Sequence, residues 1–289
     1  MSRLFDQGHA VIIGVGEDLP VTVSDAAAIE NMLLDTSRCA YPQDQVRLLT
    51  NKDATRKNIT SALEWLAKTA GPNDTAIIYF SGHGIENPDF YLIPFGYSWK
   101  DLPNTAISGT EFTTLLQQIT VRKLLVLLDC CHAGGQGDPK SFIKSPIPSE
   151  AIEELKTSSG RVIIASSRKN ELSWTGNPYS QFTMAVLEGF AGYGASEEDG
   201  FARVFDLALH VARIVPQRTG DKQHPILKIS NVEDNFAIAW YSGGHKAPKE
   251  LPWMPGGVSI QTNTGYDEKK QNTWRRMLEE FRTNLLCIL

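Results

Sequence analysis

The chain has 289 residues, 42% of them hydrophobic, which is enough to form one substantial buried core. Its formal net charge of −5 gives no basic field, so overall charge does not indicate binding to nucleic acid or to an anionic membrane. The first residues lack the long apolar core of a signal peptide, and no apolar run is long enough to cross a membrane. We therefore expect a cytoplasmic protein without nucleic-acid or membrane partners.

Short apolar runs alternate with segments of helical periodicity along most of the chain. The apolar runs predict strands at residues 9–14, 46–50, 75–81, 123–129, 161–166 and 235–240. The segments between them predict helices at residues 25–34, 55–68, 110–118, 179–189 and 202–215. Several runs, such as AIIYF and LLVLL, are almost wholly apolar, which is typical of strands covered on both faces. The alternation predicts an α/β sandwich around a mostly parallel sheet.

Two segments interrupt this alternation. Residues 134–160 are rich in Gly, Pro, Ser and Lys, and they predict a long loop with one helical turn near 150–155. Residues 241–273 are rich in Gly and Pro and predict a linker, so that the compact domain covers 1–240. Residues 274–289 predict an amphipathic helix, and two roles stay open for it: packing on its own domain, or binding a regulatory partner.

Reactive side chains follow two of the predicted strands. The third strand runs into Ser-Gly-His-Gly, which contains His83, and the fourth runs into Asp-Cys-Cys-His, which contains Cys130 and Cys131. In an open α/β sheet the carboxyl ends of the strands form the ligand crevice, so we expect His83 and a cysteine to meet there. A nearby imidazole makes a thiol nucleophilic, and free backbone N–H groups, at Gly84 and at the cysteine, would hold a developing oxyanion.

Each of these residues also has an ordinary structural interpretation. A cysteine at a strand end is often an inert buried thiol, and a histidine between glycines can cap a turn. A zinc site is a further alternative, with the ligands Cys130, Cys131, His132 and His83. Adjacent cysteines rarely both reach one metal ion, however, and the CxxC pair that zinc or redox chemistry would favour is absent from the sequence.

The two motifs together resemble those of the caspase-like clan of cysteine peptidases. The histidine of SGHG and the second cysteine of DCCHAGG are 48 residues apart (131 − 83), which is similar to the spacing in that clan. Within the clan, DCCHAGG resembles the nucleophile motif of the metacaspase and bacterial orthocaspase branch, which runs Asp-small-Cys-His-Ser/Ala-Gly. HAVIIGVG resembles the first strand of that clan, and ASSRKNELSW with YSQFTMAVLEGFAG resembles its small-subunit segment. The resemblance covers residues 8–240. It implies a large-subunit part at 1–138, an inter-subunit loop at 134–160 and a small-subunit part at 161–240.

The resemblance implies both a fold and a chemistry. The expected fold is a caspase-like three-layer α/β/α sandwich around a sheet of about six strands. Cys131 is implied as the nucleophile and His83 as its base, with the backbone N–H groups of Gly84 and Cys131 as oxyanion donors and a thioester acyl-enzyme as intermediate. Cys130 would then point the opposite way, into the sheet.

The residue two positions before the implied nucleophile indicates the substrate. Aspartate-directed caspases are expected to have Gln there, whereas this chain has Asp129. A buried carboxylate needs a cationic partner, so we expect cleavage after Arg or Lys, with Asp25 as a second acid of the pocket. The alternatives are that Asp129 caps nearby amides and that Asp25 is an ordinary first-turn acid of a helix.

Pocket walls are expected from Ser166, Ser173 and Trp174, because an extended substrate can pair with a strand there and pack on an aromatic ring. Trp174 could equally belong to the core.

The long loop offers sites for self-processing. An enzyme that cleaves after Arg or Lys could cut its own chain within 134–160, and the candidate sites are Lys140, Lys144 and Lys156. The alternative is a flexible basic loop that is never cut.

The sequence departs from the resemblance in the acidic residues that would bind calcium. Calcium-dependent metacaspases carry an acid-rich stretch after the catalytic histidine, whereas here Asp89, Asp101 and Glu111 are scattered. A hard cation needs several oxygen ligands gathered together, so we expect activity without calcium and without any other cofactor.

Two other classes of function remain open. The first is a caspase-fold adaptor or pseudoenzyme that acts by protein–protein interaction, although His83 and Cys131 are both present. The second is a different thiol enzyme, such as an acyltransferase that uses the same dyad. Turnover of peptides with a basic residue at the cleavage position distinguishes a peptidase from both.

Overall fold

The computed structural model of the chain describes residues 5–86, 89–130, 160–168, 171–241 and 243–254. The strands in chain order are β1 (Gly8–Gly14), β2 (Val46–Thr50), β3 (Thr75–Gly82), β4 (Gly84–Glu86), β5 (Phe90–Leu92), β6 (Ile107–Ser108), β7 (Lys123–Cys130), β8 (Arg161–Ala165), β9 (Phe201–Arg203), β10 (Ile226–Ser230) and β11 (Ala237–Trp240). The α-helices in chain order are α1 (Pro20–Leu34), α2 (Arg56–Thr69), α3 (Leu102–Thr105), α4 (Gly109–Gln118), α5 (Gln181–Ala191) and α6 (Val204–Arg218).

Within the described residues, the central sheet has six strands in the order β10-β8-β7-β3-β1-β2. The strands from β8 to β2 are parallel, and β10 is antiparallel at one edge. Strands β1 and β3 are buried at every residue, as their continuous apolar sequences require. The prediction of a mostly parallel α/β sandwich is therefore confirmed.

Helices cover both faces of the sheet. On one face, α2 and α4 share a large apolar core with the strands, and Leu63, Phe112 and Val126 are among its buried members. On the other face, α1 packs on β1 and on α5, and α5 packs on α6. Because side chains alternate along a strand, Tyr79 of β3 points to this second face, where its hydroxyl lies 2.6 Å from the Thr183 hydroxyl of α5. The described part of the unit that ends at Leu251 is thus a three-layer α/β/α sandwich.

One strand of the sheet is not the predicted one. The apolar run at 235–240 predicts a main-sheet strand, but β11 pairs with β9 in a separate two-stranded sheet. The edge position belongs to β10, which pairs with β8. Lys228 and Ile229 of β10 are exposed, so this segment lacks the continuous apolar pattern of a central strand and the sequence does not reveal it.

Helix α1 begins earlier than the predicted start at 25. Its first residue is Pro20, which suits the first turn because the N–H that proline lacks has no helical partner there. Asp25 consequently lies beyond the first turn, and its side chain has no exposed surface. The interpretation of Asp25 as an ordinary first-turn acid is therefore wrong.

A small antiparallel sheet follows the Ser-Gly-His-Gly motif. Strands β4, β5 and β6 form it, and none of them is predicted from the sequence, since each has only two or three residues. Its side chains bury a separate apolar cluster that includes Ile85, Tyr91 and Leu102. This sheet fixes the path of the chain directly after His83.

The compact unit that holds the sheet extends to Leu251, beyond the predicted end of the domain at 240. Arg38 Nη2 donates a hydrogen bond to the Ala247 carbonyl at 2.8 Å, and the Lys249 N–H donates one to the Ala191 carbonyl at 2.9 Å. These contacts bind the chain after β11 to the ends of α1 and α5.

Two predicted elements, the helical turn near 150–155 and the terminal helix at 274–289, lie outside the described residues. In the part of the chain that the structure describes, no helix combines the length and the apolar character needed to cross a membrane.

Candidate active site

The candidate site lies where β3 and β7 end side by side. The two strands are parallel neighbours, and their register pairs Gly82 with Cys130. This offset of 48 residues (130 − 82) equals the separation of His83 and Cys131 in the sequence (131 − 83). His83 therefore follows β3 at the edge of the sheet where β7 also ends. Cys131, the predicted nucleophile, lies outside the described residues.

His83 is held by contacts on both sides. Its backbone carbonyl accepts a hydrogen bond from the Ile93 N–H at 3.0 Å, which ties it to the chain after β5. Its ring Nε2 lies 3.0 Å from each carboxylate oxygen of Asp18, in the turn between β1 and α1. The imidazole is thus oriented by a contact that the sequence motif does not include.

Cys130 belongs to the core more than to the reactive edge. Its side chain packs against the apolar core on the face covered by α2 and α4. A Cβ at Gly84 would lie 3.0 Å from the Phe90 ring and 3.3 Å from the Cys130 Cβ, so a larger residue there would crowd both side chains. Burial, and then the nearby Asp129 charge, raise the pKa of the Cys130 thiol above its usual range. A thiol that stays protonated is a poor nucleophile, which weighs against Cys130 as the reacting cysteine.

Two acidic side chains are buried together beside this edge. Asp129 lies near the end of β7, Asp25 lies in α1, and neither has exposed surface. Ser180, just before α5, connects them. Its backbone N–H donates to Asp25 Oδ1 at 3.0 Å, and its hydroxyl donates to Asp129 Oδ2 at 2.5 Å. The structure therefore brings the two predicted pocket acids into one site.

Hydroxyl groups and a helix end surround Asp129. Ser173 Oγ donates to Asp129 Oδ1 at 2.9 Å, and Thr183 Oγ1 donates to Asp129 Oδ2 at 3.3 Å. Ser180 is also the N-cap of α5, since its hydroxyl accepts a hydrogen bond from the Thr183 N–H at 3.0 Å. The N-terminus of α5 consequently directs its partial positive charge at the buried acids. These donors to Asp129 are side-chain hydroxyls, whereas the alternative interpretation expected Asp129 to cap nearby amides.

The negative charge at Asp25 is poorly compensated. Burial, and then the Asp129 charge, raise the pKa of Asp25 to about 8, and the hydrogen bonds from Ser180 and Ser81 act in the opposite direction. Within the described residues, no lysine or arginine pairs with Asp25. Two buried carboxyl groups in one site favour the entry of a cation, because the cation would allow both of them to ionise.

A family model, the caspase domain, matches residues 7–237 of this chain. The chain belongs to the caspase domain family. Its sequence relatives include Metacaspase-1B of Aspergillus terreus, which is 36% identical over 141 residues, or 42% of this chain and 35% of the relative. Metacaspase-1 of Candida albicans is 31% identical over 162 residues, or 46% of this chain and 35% of the relative. Metacaspase-2 of Arabidopsis thaliana is 28% identical over 150 residues, or 44% of this chain and 35% of the relative.

All three of these relatives are metacaspases, and the matched region spans 35% of the length of each. A crystal structure of a protein from Geobacter sulfurreducens matches the fold with a TM-score of 0.53 at 16% identity. The match covers 82% of this chain and 97% of the other. At that identity the likeness is one of fold alone.

Gln223 connects the predicted walls of the pocket in this caspase domain. It is fully buried, and its Nε2 donates to the Ser166 carbonyl at 2.9 Å and to Ser173 Oγ at 3.3 Å. Its Oε1 accepts a hydrogen bond from the Trp174 N–H at 2.8 Å. The Trp174 side chain is 39% exposed, with Lys222 Nζ 5.1 Å from the ring centroid. The alternative that Trp174 belongs to the core is therefore wrong.

Sequence reasoning missed several residues of the site. These are Asp18, Ser180, Thr183 and Gln223. Ser180 carried a usable signal, because a serine before an apolar helix is a common N-cap. The others are recognised only through contacts with residues far away in the sequence.

The acids considered for calcium either bond to another side chain or are exposed. Glu111 Oε1 pairs with Arg56 Nη2 at 2.7 Å, and Asp101 Oδ1 accepts a hydrogen bond from Asn104 Nδ2 at 2.8 Å. Asp89 is exposed. Over the ranges that the structure describes, no group of three or more His, Cys, Asp or Glu side chains could hold a metal ion. The candidate self-cleavage sites lie outside those ranges, and they are Lys140, Lys144 and Lys156.

We predict that Asp25→Asn stabilises the protein, and more so as the pH rises. The pKa of Asp25 is about 8 in the fold against an ordinary value of 3.8, so folding takes up a proton between these values. Wild-type stability is therefore lost as the pH rises through this window, whereas the neutral amide has no such loss. At about pH 8 we expect the variant to melt at least about 3 °C higher, which corresponds to about 1 kcal/mol.

Thermal unfolding without substrate, from about pH 5 to about pH 8.5, measures this difference. Asp53→Asn, the same change at an exposed carboxyl, controls for the substitution itself. A difference in Tm that stays constant with pH, or a variant that is less stable than wild type at the upper end, contradicts the prediction.

Proposed function

We propose that this chain is a cysteine endopeptidase that hydrolyses peptide bonds after Arg or Lys. The observation that carries the proposal is the buried pair of carboxyl groups, Asp25 and Asp129, at the sheet edge where His83 follows β3. An acidic site next to a histidine and a predicted nucleophilic cysteine supports a peptidase that recognises a basic side chain. Membership of the metacaspase branch of the caspase domain family supports the same reaction.

The proposed reaction uses Cys131 and His83. His83 takes the thiol proton of Cys131, and the thiolate attacks the carbonyl carbon of the scissile bond. The backbone N–H groups of Gly84 and Cys131 stabilise the oxyanion. His83 then gives its proton to the leaving amine, which leaves a thioester acyl-enzyme. A water molecule that is deprotonated by His83 hydrolyses the thioester and restores the thiol.

Charge complementarity supports a basic residue at the cleavage position. A guanidinium or ammonium group beside Asp25 and Asp129 would form charge-assisted hydrogen bonds and allow both acids to ionise. An aspartate side chain would instead add a further negative charge to a buried site in which Asp25 and Asp129 already disfavour each other's ionisation. Ser166 and Ser173 would form the walls, and the exposed ring of Trp174 would pack against the substrate chain.

The proposal requires no cofactor. Activity without calcium is supported by the partners of two of the acids, since Asp101 bonds to Asn104 and Glu111 bonds to Arg56. We also propose a cytoplasmic location, because a nucleophilic thiol must stay reduced. A regulatory partner for the segment at 274–289 stays a prediction.

We predict that the full chain, assayed in EDTA, turns over fluorogenic peptides that end in Arg or Lys and not those that end in Asp. Asp129→Asn should lower kcat/KM for Arg peptides about a hundredfold, since a buried cation loses a carboxylate partner at a cost of about 3 kcal/mol. Cys131→Ala should abolish turnover, and the exposed control Asp53→Asn should leave it unchanged.

Other results point to other functions. Faster turnover of Asp peptides contradicts the proposed specificity. Acyl transfer to an added amine in place of hydrolysis indicates an acyltransferase. Absence of turnover with every peptide, together with partner binding that Cys131→Ala does not alter, indicates an adaptor.

We further propose that the enzyme cleaves its own chain within residues 134–160. The full burial of Asp25 and Asp129 supports this, because a substrate side chain can reach them only after a covering group moves. Incubated wild type should yield fragments that end at one of the three lysines, Lys140, Lys144 and Lys156. Intact-mass spectrometry should show no such fragments for Cys131→Ala. A wild-type chain that cleaves Arg peptides while it stays whole contradicts self-processing.

A further inference from the structure

The turn between β1 and α1 brings a carboxylate to the candidate base. Asp18 lies on this turn, and both of its carboxylate oxygens are 3.0 Å from His83 Nε2. The Asp18 side chain is 66% exposed, whereas the His83 side chain is 12% exposed. An ion pair with one well-exposed partner adds little to the stability of a fold. Stability alone therefore does not explain the contact.

The turn that carries Asp18 is rigidly held. Thr22, fully buried in α1, accepts a hydrogen bond from the Gly16 N–H at 2.8 Å and donates one to the Leu19 carbonyl at 2.8 Å. Gly16 and Glu17, directly before Asp18, both have left-handed backbone angles, with φ of 77° and 54°. This conformation is unfavourable for a residue such as Glu17, and non-glycine residues held in it are often found at functional sites.

The same turn is joined to the strand that leads to His83. The Val15 N–H donates a hydrogen bond to the Ser81 carbonyl at 3.0 Å, which extends the pairing of β1 and β3 up to the turn. The distance between Asp18 and His83 is therefore set by two segments that are hydrogen-bonded to each other next to the contact.

We propose that Asp18 is a positioning residue that orients His83 and supports its positive charge, so that the reacting group is Cys131–His83–Asp18 and not a dyad alone. The inference rests on the proposed function, and it adds a residue that the sequence motifs do not contain. It also gives a reason for the left-handed residue that precedes Asp18.

The contact selects the nitrogen that reacts. When the Asp18 carboxylate accepts the Nε2–H of His83, the neutral imidazole carries its lone pair on Nδ1. Nδ1 then takes the proton of the Cys131 thiol, which leaves a thiolate and an imidazolium. Asp18 keeps its own charge throughout and stabilises the imidazolium that forms. The proton later passes from Nδ1 to the leaving amine, so Asp18 gains and loses nothing over the cycle.

The test compares Asp18→Asn with Asp53→Asn. Asp53 is also exposed and follows β2, which is the neighbour of β1 in the sheet, so its variant removes the same charge from the same region. We expect Asp18→Asn to lower kcat on an Arg peptide about tenfold while KM stays within about twofold and Tm is unchanged. Asp18→Glu, which keeps the charge, should retain more activity than Asp18→Asn. Asp53→Asn should behave like wild type.

A second measurement does not depend on peptide turnover. The rate at which iodoacetamide alkylates Cys131, followed by peptide mass spectrometry at neutral pH, reports the thiolate that His83 generates. We expect this rate to fall about tenfold in Asp18→Asn and to stay unchanged in Asp53→Asn. If wild type cleaves no peptide but the alkylation rate still falls, the endopeptidase proposal fails and the role of Asp18 holds. If kcat and the alkylation rate are unaltered in Asp18→Asn, or if they fall only together with Tm, the role of Asp18 is overturned.

Discussion

Two carboxyl groups share one buried environment at the carboxyl edge of the sheet, and several elements of the fold are arranged around them. Asp25 comes from α1 and Asp129 from β7, and Ser180 donates hydrogen bonds to both. Burial of like charges is costly, and the fold offsets part of that cost with hydroxyl donors and with the N-terminus of α5. The offset is incomplete, since the pKa of Asp25 remains well above its ordinary range. A basic substrate side chain would supply the missing positive charge.

The site is assembled from distant parts of the chain. Asp25, His83 and Asp129 belong to the segment before residue 131, whereas Ser180 and Gln223 come from residues after 160. The parallel pairing of β7 with β8 and the packing of α1 on α5 hold the two parts together. The acid pair and the histidine therefore depend on the same interactions that build the central sheet. Changes in those elements are expected to alter the site as well as the stability.

The regular part of the fold could be predicted from the sequence, because it depends on local pattern. The continuous apolar runs of β1, β3 and β7 need burial on both faces, and this alone predicts a parallel sheet. The edge strand β10 was not predictable, because Lys228 and Ile229 are exposed and interrupt any apolar pattern. Its pairing with β8 also joins two segments that are far apart in the sequence. The start of α1 was misplaced because the first buried residues of this helix, Thr22 and Asp25, are polar and give no apolar periodicity.

The residues of the candidate site also divide into those that the sequence predicts and those that only the fold reveals. His83 and Asp129 could be proposed because each follows or ends an apolar strand next to a recognisable motif. Gln223 and Asp18 could not, because nothing in their local sequence distinguishes them from ordinary loop residues. They become significant only when the fold brings Gln223 against Ser173 and Asp18 against His83. The motif thus predicts the reacting groups, and the fold supplies the residues that orient them.

We propose that Asp25 and Asp129 together bind the basic side chain of the substrate. A crystal structure of the chain with a peptide inhibitor that ends in Arg and bonds covalently to a cysteine tests this claim most directly. We expect a bond to Cys131 and a guanidinium group within hydrogen-bond distance of both carboxyl groups. Binding of the basic side chain by this pair would be contradicted if the guanidinium group lay elsewhere and Asp25 and Asp129 stayed buried without a cation.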